Sequence, residues 1–198
     1  EENEKSREAR LNGDVEKAKM LSLRIKQQRI DFEFKNSNLQ PEVSFHEPST
    51  NKVNYYLGHC LDGITALPVY SKVKYENIYD NIDIVFKTGK QGLKYDIILK
   101  PGANLHDVKF KYNGADNIFV EDGNLIVENE INTFSEAIPL SYKSASKETV
   151  NAQFNILGDN TFGFDIEGIS NITEEIVIDP TLTWSTYYEN TTSGSVSY

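Results

Sequence analysis

From Val53 onward the chain alternates apolar and polar residues with a period of two, and this pattern restricts what it can fold into more than any other feature. Val108, Phe110 and Tyr112 alternate with Lys109 and Lys111; Phe154 and Ile156 alternate with Gln153 and Asn155; Phe162, Phe164 and Ile166 alternate with Gly163 and Asp165. Successive side chains of an extended strand leave opposite faces, so each run predicts a strand with one dry and one wet face. Residues 82–86 and 97–99 are apolar almost throughout, as expected of strands covered on both faces. The punctuation agrees. Lys100-Pro101-Gly102-Ala103, Asn113-Gly114, Asp122-Gly123 and Gly158-Asp159-Asn160 are residue types that accept positive or fixed φ where a chain reverses. About a dozen short strands at this spacing predict a mainly β fold, an antiparallel β-sandwich or two packed sheets.

The N-terminal quarter reads differently. Leu11, Val15, Ala18, Ser22 and Ile25 fall at spacings of three and four, which predicts a helix over residues 14–30 with Asp14 as its cap. Charged residues cover most of that cylinder, so residues 1–35 are expected to form a solvated helical arm. Residues 36–52, with Pro41, Pro48 and several Asn and Ser, read as a linker to a β-rich domain over 53–188, and residues 189–198 as the start of a further linker or repeat.

Charge narrows the partners. The formal net charge is -10, yet the first 35 residues hold nine Lys/Arg against eight Asp/Glu, leaving eleven against twenty-two for the remainder. All four Arg (Arg7, Arg10, Arg24, Arg29) lie in that first segment. An acidic body without guanidinium groups repels phosphate, so nucleic acid is not an expected partner. No apolar run reaches the length of a membrane span. Cys60 is the single cysteine, so it forms neither an internal disulfide nor a cysteine zinc site.

Several segments together resemble a known family. PVYSKVKYENIYDNIDIVF (68–86), LKYDIILKPGANLHDVKFKYNGAD (93–116), DGNLIV (122–127), TVNAQFNILGDNTFGFDI (149–166) and IVIDPTLTWSTYY (176–188) are similar, in order and spacing, to the β-rich domain near the N-terminus of large Bacteroidota-type cell-surface proteins, upstream of SBBP-type β-propeller repeats. The resemblance spans roughly residues 53–188. It implies a secreted or surface-exposed, non-catalytic module, exported by the type IX route, whose partners are downstream domains of the same polypeptide. It carries no catalytic residues with it.

The residues that could bear chemistry each have a structural competitor. Asp80, Asp83, Asp96 and Asp165 could pair as glycosidase carboxylates, but turn and outward strand positions account for them. Oxygen-rich turns suit calcium, for which Asp80 and Asp83, and Asp116 and Asp122, are the weak candidates; neither cluster has the spacing of an EF-hand loop, and no other cofactor is expected. His59 and Cys60 are neighbours on an extended chain and point apart, which disfavours a thiol nucleophile, although His46 and His106 remain open as spatial partners. Tyr55, Tyr56, Tyr70, Tyr75, Tyr79, Trp184, Tyr187 and Tyr188 could stack on sugar rings, with core packing as the plainer account. Trp184, Tyr187 and Tyr188 are expected at a junction with the next module. The sequence therefore favours a non-enzymatic spacer or docking cap, over a carbohydrate- or calcium-binding adhesion module and, further behind, a glycoside hydrolase.

Overall fold

The computed structural model describes residues 2–17, 28–58, 60–89 and 92–183, and among these it is almost entirely antiparallel β. The strands are β1 (Asp31–Phe34), β2 (Glu42–Leu57), β3 (Cys60–Tyr79), β4 (Ile82–Gly89), β5 (Gly92–Leu99), β6 (Phe110–Asn113), β7 (Asn117–Glu121), β8 (Asn124–Glu128), β9 (Thr133–Lys143), β10 (Thr149–Gly158), β11 (Thr161–Ile166) and β12 (Ile176–Thr183). The large sheet runs β2-β3-β4-β5-β12-β9, with the β7-β8 hairpin attached to the first half of β9. The small sheet runs β1-β6-β11-β10. One strand joins them: Thr149–Asn151 of β10 pair with β9, whereas Ala152–Gly158 pair with β11.

The alternation read from the sequence becomes the interface between the sheets. Phe110, Phe162 and Phe164 from the small sheet face Ile82, Ile84, Ile97, Leu99, Ile176 and Ile178 from the large one, all at most 2 % exposed. Each such side chain removed from water contributes on the order of 2 kcal/mol. Phe32 of β1 lies against Tyr95, Phe110 and Tyr112, with ring centroids 5.5, 5.0 and 5.2 Å away, so the aromatic cluster bridges both layers. The turns take the expected residues. Asp122 (φ 49°) and Gly123 (φ 80°) form the two-residue loop between β7 and β8, with left-handed φ at both positions as the twist of a tight hairpin favours.

The N-terminal expectations need correction. A helix, α1 (Glu2–Leu11), precedes the expected one and is followed by a turn in which Gly13 takes φ 77°. Asp14 does cap a second helical start, its Oδ1 accepting from the Lys17 backbone N–H at 3.1 Å, but residues 18–27 lie outside the described residues. Gln28–Ile30 are not helical, and Asp31–Phe34 form β1 instead of closing a helical arm at residue 35. The cause is tertiary: Phe32 and Phe34 alternate with Asp31 and Glu33, and β6 offers them a backbone partner beside the aromatic core. The expected linker over 36–52 holds most of β2, whose register with β3 begins at Glu42↔Glu76.

β2 and β3 also extend beyond the body. The register of β4 on β3 ends at Lys72↔Lys87, so from Pro48 and Tyr70 outward β2 and β3 pair only with each other among the described residues. The result is a projecting two-stranded ribbon.

Candidate functional site

Three groupings of polar residues stand out, and the first lies on the outer face of the large sheet. Asp83 on β4 is 1 % exposed, yet it is fully satisfied: its Oδ1 accepts from Lys100 Nζ at 2.7 Å and from the Asn77 backbone N–H at 2.8 Å, and its Oδ2 sits 2.9 Å from Lys74 Nζ. Burial pushes this carboxyl up, but the lysines and the amide outweigh it and hold it below the usual range. One strand over, Lys87 pairs with Asp96 Oδ2. The β5–β12 register, with Ile97 opposite Ile178, sets Asp179 opposite Asp96, and the Oδ1 atoms of both are buried without a partner among the described residues. Burial and the charge of Asp96 push the Asp179 carboxyl up.

The second grouping is inside the sandwich. Glu136 on β9 is 0 % exposed; its Oε2 accepts from Tyr95 Oη of β5 at 2.6 Å and its Oε1 from Tyr112 Oη of β6. Burial raises its carboxyl to about 7, with the two phenol hydrogen bonds pulling the other way. Both phenols are themselves pushed well above the ordinary tyrosine range by burial and by Glu136. This arrangement ties the two sheets through a polar bridge in an apolar interior, a structural role that requires no access for a substrate.

The third is a cleft of about 480 Å³ between the loop after β5 and the loop after β11, lined by His106, Asp165 and Ser170 among others. His106 Nδ1 stands 3.9 Å from Asp165 Oδ1, and the His106 side chain is 78 % exposed. Among the described residues no hydrogen bond joins Ser170 to His106, so the geometry is that of a surface pair with a hydroxyl nearby. An acid, a base and a nucleophile in bonded sequence are not assembled there.

The structure separates the calcium candidates. Asp80 sits in the exposed turn before β4, where Asn81 takes φ 60°, while Asp83 points to its lysines. Asp116 and Asp122 flank opposite ends of β7. Among the described residues no group of three or more His, Cys, Asp or Glu is placed to hold a metal ion. The carboxylates weighed as a glycosidase set also disperse. Asp165 takes a hydrogen bond from Asn155 at 2.9 Å on the small sheet, far in the fold from Asp83 and Asp96 on the large one.

The aromatic platform does not form as one surface. Tyr79 is 5 % exposed and donates to the Lys109 carbonyl at 3.1 Å, burial pushing its phenol up to about 12. Tyr75 packs against the core, Tyr70 lies 5.4 Å from the Phe45 ring, and Tyr55 and Tyr56 are exposed on the ribbon. Trp184, Tyr187, Tyr188 and His59 lie outside the described residues. Glu136 was absent from the sequence-based candidates. Its signal was parity, because it shares the inward phase of Phe134 two residues earlier.

No helix of the described residues is long and apolar enough to cross a membrane. No curated protein and no solved structure matches the chain. Over residues 1–181, which include α1 and β1 as well as the sandwich, the chain belongs to the family described as a domain of unknown function (DUF7948).

Proposed function

We propose that this domain is a non-catalytic structural and interaction module of a large secreted or cell-surface bacterial protein, a spacer or docking cap beside propeller repeats. The observation that carries the reading is the position of β12. It runs between β5 and β9, antiparallel to both, with Ile176 and Ile178 in the core. A load applied at Thr183 therefore shears backbone hydrogen bonds on two sides at once. A load from the other end enters at β1, on the edge of the small sheet, and reaches β12 through the ladder β6-β11-β10-β9, alongside the aromatic core and the Tyr112–Glu136 bridge. The fold suits transmitting orientation and force between its flanks.

Pulling the domain between residues 28 and 183 in a single-molecule force experiment tests this. One cooperative rupture under shear is expected. Smooth extension without a force peak would overturn the spacer role, and turnover of a polysaccharide that is lost in His106→Ala and Asp165→Asn variants would overturn the non-catalytic one.

A further inference from the structure

We infer that β5 and β12 form a seam that closes in acid, where a proton shared between Asp96 and Asp179 draws the two strands together beyond the point at which they part. The large sheet is split along that seam. Among the described residues β12 pairs with β5 only at Ile176↔Leu99, Val177↔Ile98 and Ile178↔Ile97. Both strands run on: β12 stays on β9 as far as Thr183↔Ser135, and β5 stays on β4 as far as Gly89↔Gly92. Continued register would set Thr181 against Lys94 and Thr183 against Gly92, the terminal residues of the two strands. Pro180 withholds one N–H, and the register of β12 on β9 shifts there. That accounts for one missing bond, but not for strands that stay apart over the rest of their length.

A pair of carboxyls lies where the strands part. Asp179 falls opposite Asp96 on the outer face, at the first position after the last paired one. Directly opposed side chains on antiparallel strands stand about 5 Å apart, and like charges there push the strands from each other. The Asp96 side chain is 8 % exposed, and its Oδ1 and that of Asp179 are buried without a partner among the described residues. One proton serves both oxygens, since a protonated Asp179 donates to the Asp96 oxygen that Lys87 leaves free. Among the described residues the charged and titratable groups around Asp179 are Asp96 and Lys94 of β5 and Lys87 of β4, with Tyr142 of β9 beyond Lys87. Burial first and Asp96 second push the Asp179 carboxyl up, against Lys87 and Lys94. The folded chain therefore takes up this proton at a higher pH than the unfolded one, so closure is present in acid and is lost as pH rises through the folded value. The added β5–β12 hydrogen bonds tighten the hold of the sheet on β12. That mechanical consequence rests on the spacer reading, and the pairing itself does not.

Hydrogen exchange of the full chain between pH 4 and pH 7.5, with each amide referred to its intrinsic exchange rate at the same pH, tests the inference. Seam-facing amides of residues 93–96 and 181–183 should gain at least about tenfold protection at the acid end, while those of residues 82–86, already paired in the β4–β5 hairpin, change less. Asp179→Asn carries a donor at every pH and should hold the seam closed throughout. Glu136→Gln, which removes the buried core carboxyl, should keep the response of the unaltered protein. Seam protection that does not change with pH would overturn the inference and leave Pro180 as the whole cause of the parting. A response that survives in Asp179→Asn, or that vanishes in Glu136→Gln, would overturn it by assigning the proton elsewhere. None of these outcomes depends on a rupture force, so the seam and the spacer reading fail separately.

Discussion

The hydroxyl of Tyr112, on the small sheet, donates to the carboxylate of Glu136, on the large one, and Tyr95 occupies the other carboxylate oxygen. The bridge consumes both oxygens of a fully buried acid. Its consequence is a stability that depends on pH in a window where carboxylates ordinarily have none.

The Glu136 carboxyl titrates at about 7 in the folded protein and near 4.5 when unfolded, so the folded state holds this proton more tightly. Its contribution is fully present below pH 4.5, falls as pH rises toward 7, and is flat above that. The separation corresponds to a few kcal/mol. Urea melts at pH 5 and pH 7.5 should show the native protein losing stability between them, whereas Glu136→Gln, which cannot ionise, should lose much less. Parallel slopes for the two proteins would contradict the account.

Asp83 shows the opposite sign. Its carboxyl is held below the usual value by Lys100, Asn77 and Lys74, so its contribution is present at neutral pH and disappears as acid protonates the folded form, below pH 4. Asp83→Ala leaves two lysine ammoniums facing a vacated acceptor site and should cost about 3 kcal/mol at pH 7. Asp83→Asn keeps the shape and should cost less. Equilibrium unfolding at pH 7 and at pH 3 separates the two effects, the penalty shrinking in acid.

Much of this was legible in the sequence because it is local. The strand phases around Phe110, Phe154 and Phe162, and the turns at Asn81, Gly102, Asp122 and Asp159, follow from neighbours two or three positions away. What was not legible depends on distant residues. β1 is four residues long, so its alternation of Phe32 and Phe34 with Asp31 and Glu33 is too brief to mark a strand by itself, and its partner β6 lies about 80 positions later. Residues 36–52, which hold most of β2, read as a linker because Pro41, Pro48 and several Asn and Ser leave no strict alternation there to read. The polar bridge was hidden for the same reason, Tyr95 and Tyr112 lying 41 and 24 positions from Glu136.

Asp179 and Asp96 are another long-range pair, and theirs is unfavourable. Each presents a buried Oδ1 without a donor among the described residues, on adjacent strands, and the charge of Asp96 helps push the Asp179 carboxyl up. Asp179→Asn removes one of the like charges and introduces an amide N–H that can serve the orphaned oxygen. It should stabilise the fold by about 1 kcal/mol at pH 7. Thermal melts at pH 7 decide the matter, and a lowered Tm for Asp179→Asn would show that the carboxylate has a partner the sheet does not supply.

The segment leading into β1 passes close against one glycine. Gly114 follows β6 with φ 93°, and a Cβ built there would stand 2.3 Å from the carbonyl oxygen of Arg29, far inside van der Waals contact with backbone that cannot swing aside. The same turn holds Gln28, whose Nε2 donates to the Gly114 carbonyl at 2.8 Å. Gly114→Ala thus meets two penalties, a left-handed φ and a collision, and together these should cost about 2 kcal/mol or more. Because the collision is with the strand leading into β1, the damage should appear there first. Phe32 and Phe34 would loosen from the aromatic cluster while the β4–β5 hairpin stays protected. Hydrogen exchange of residues 31–34 against 82–88 in the variant measures this directly, and equal protection of both would show that β1 is not held by that turn.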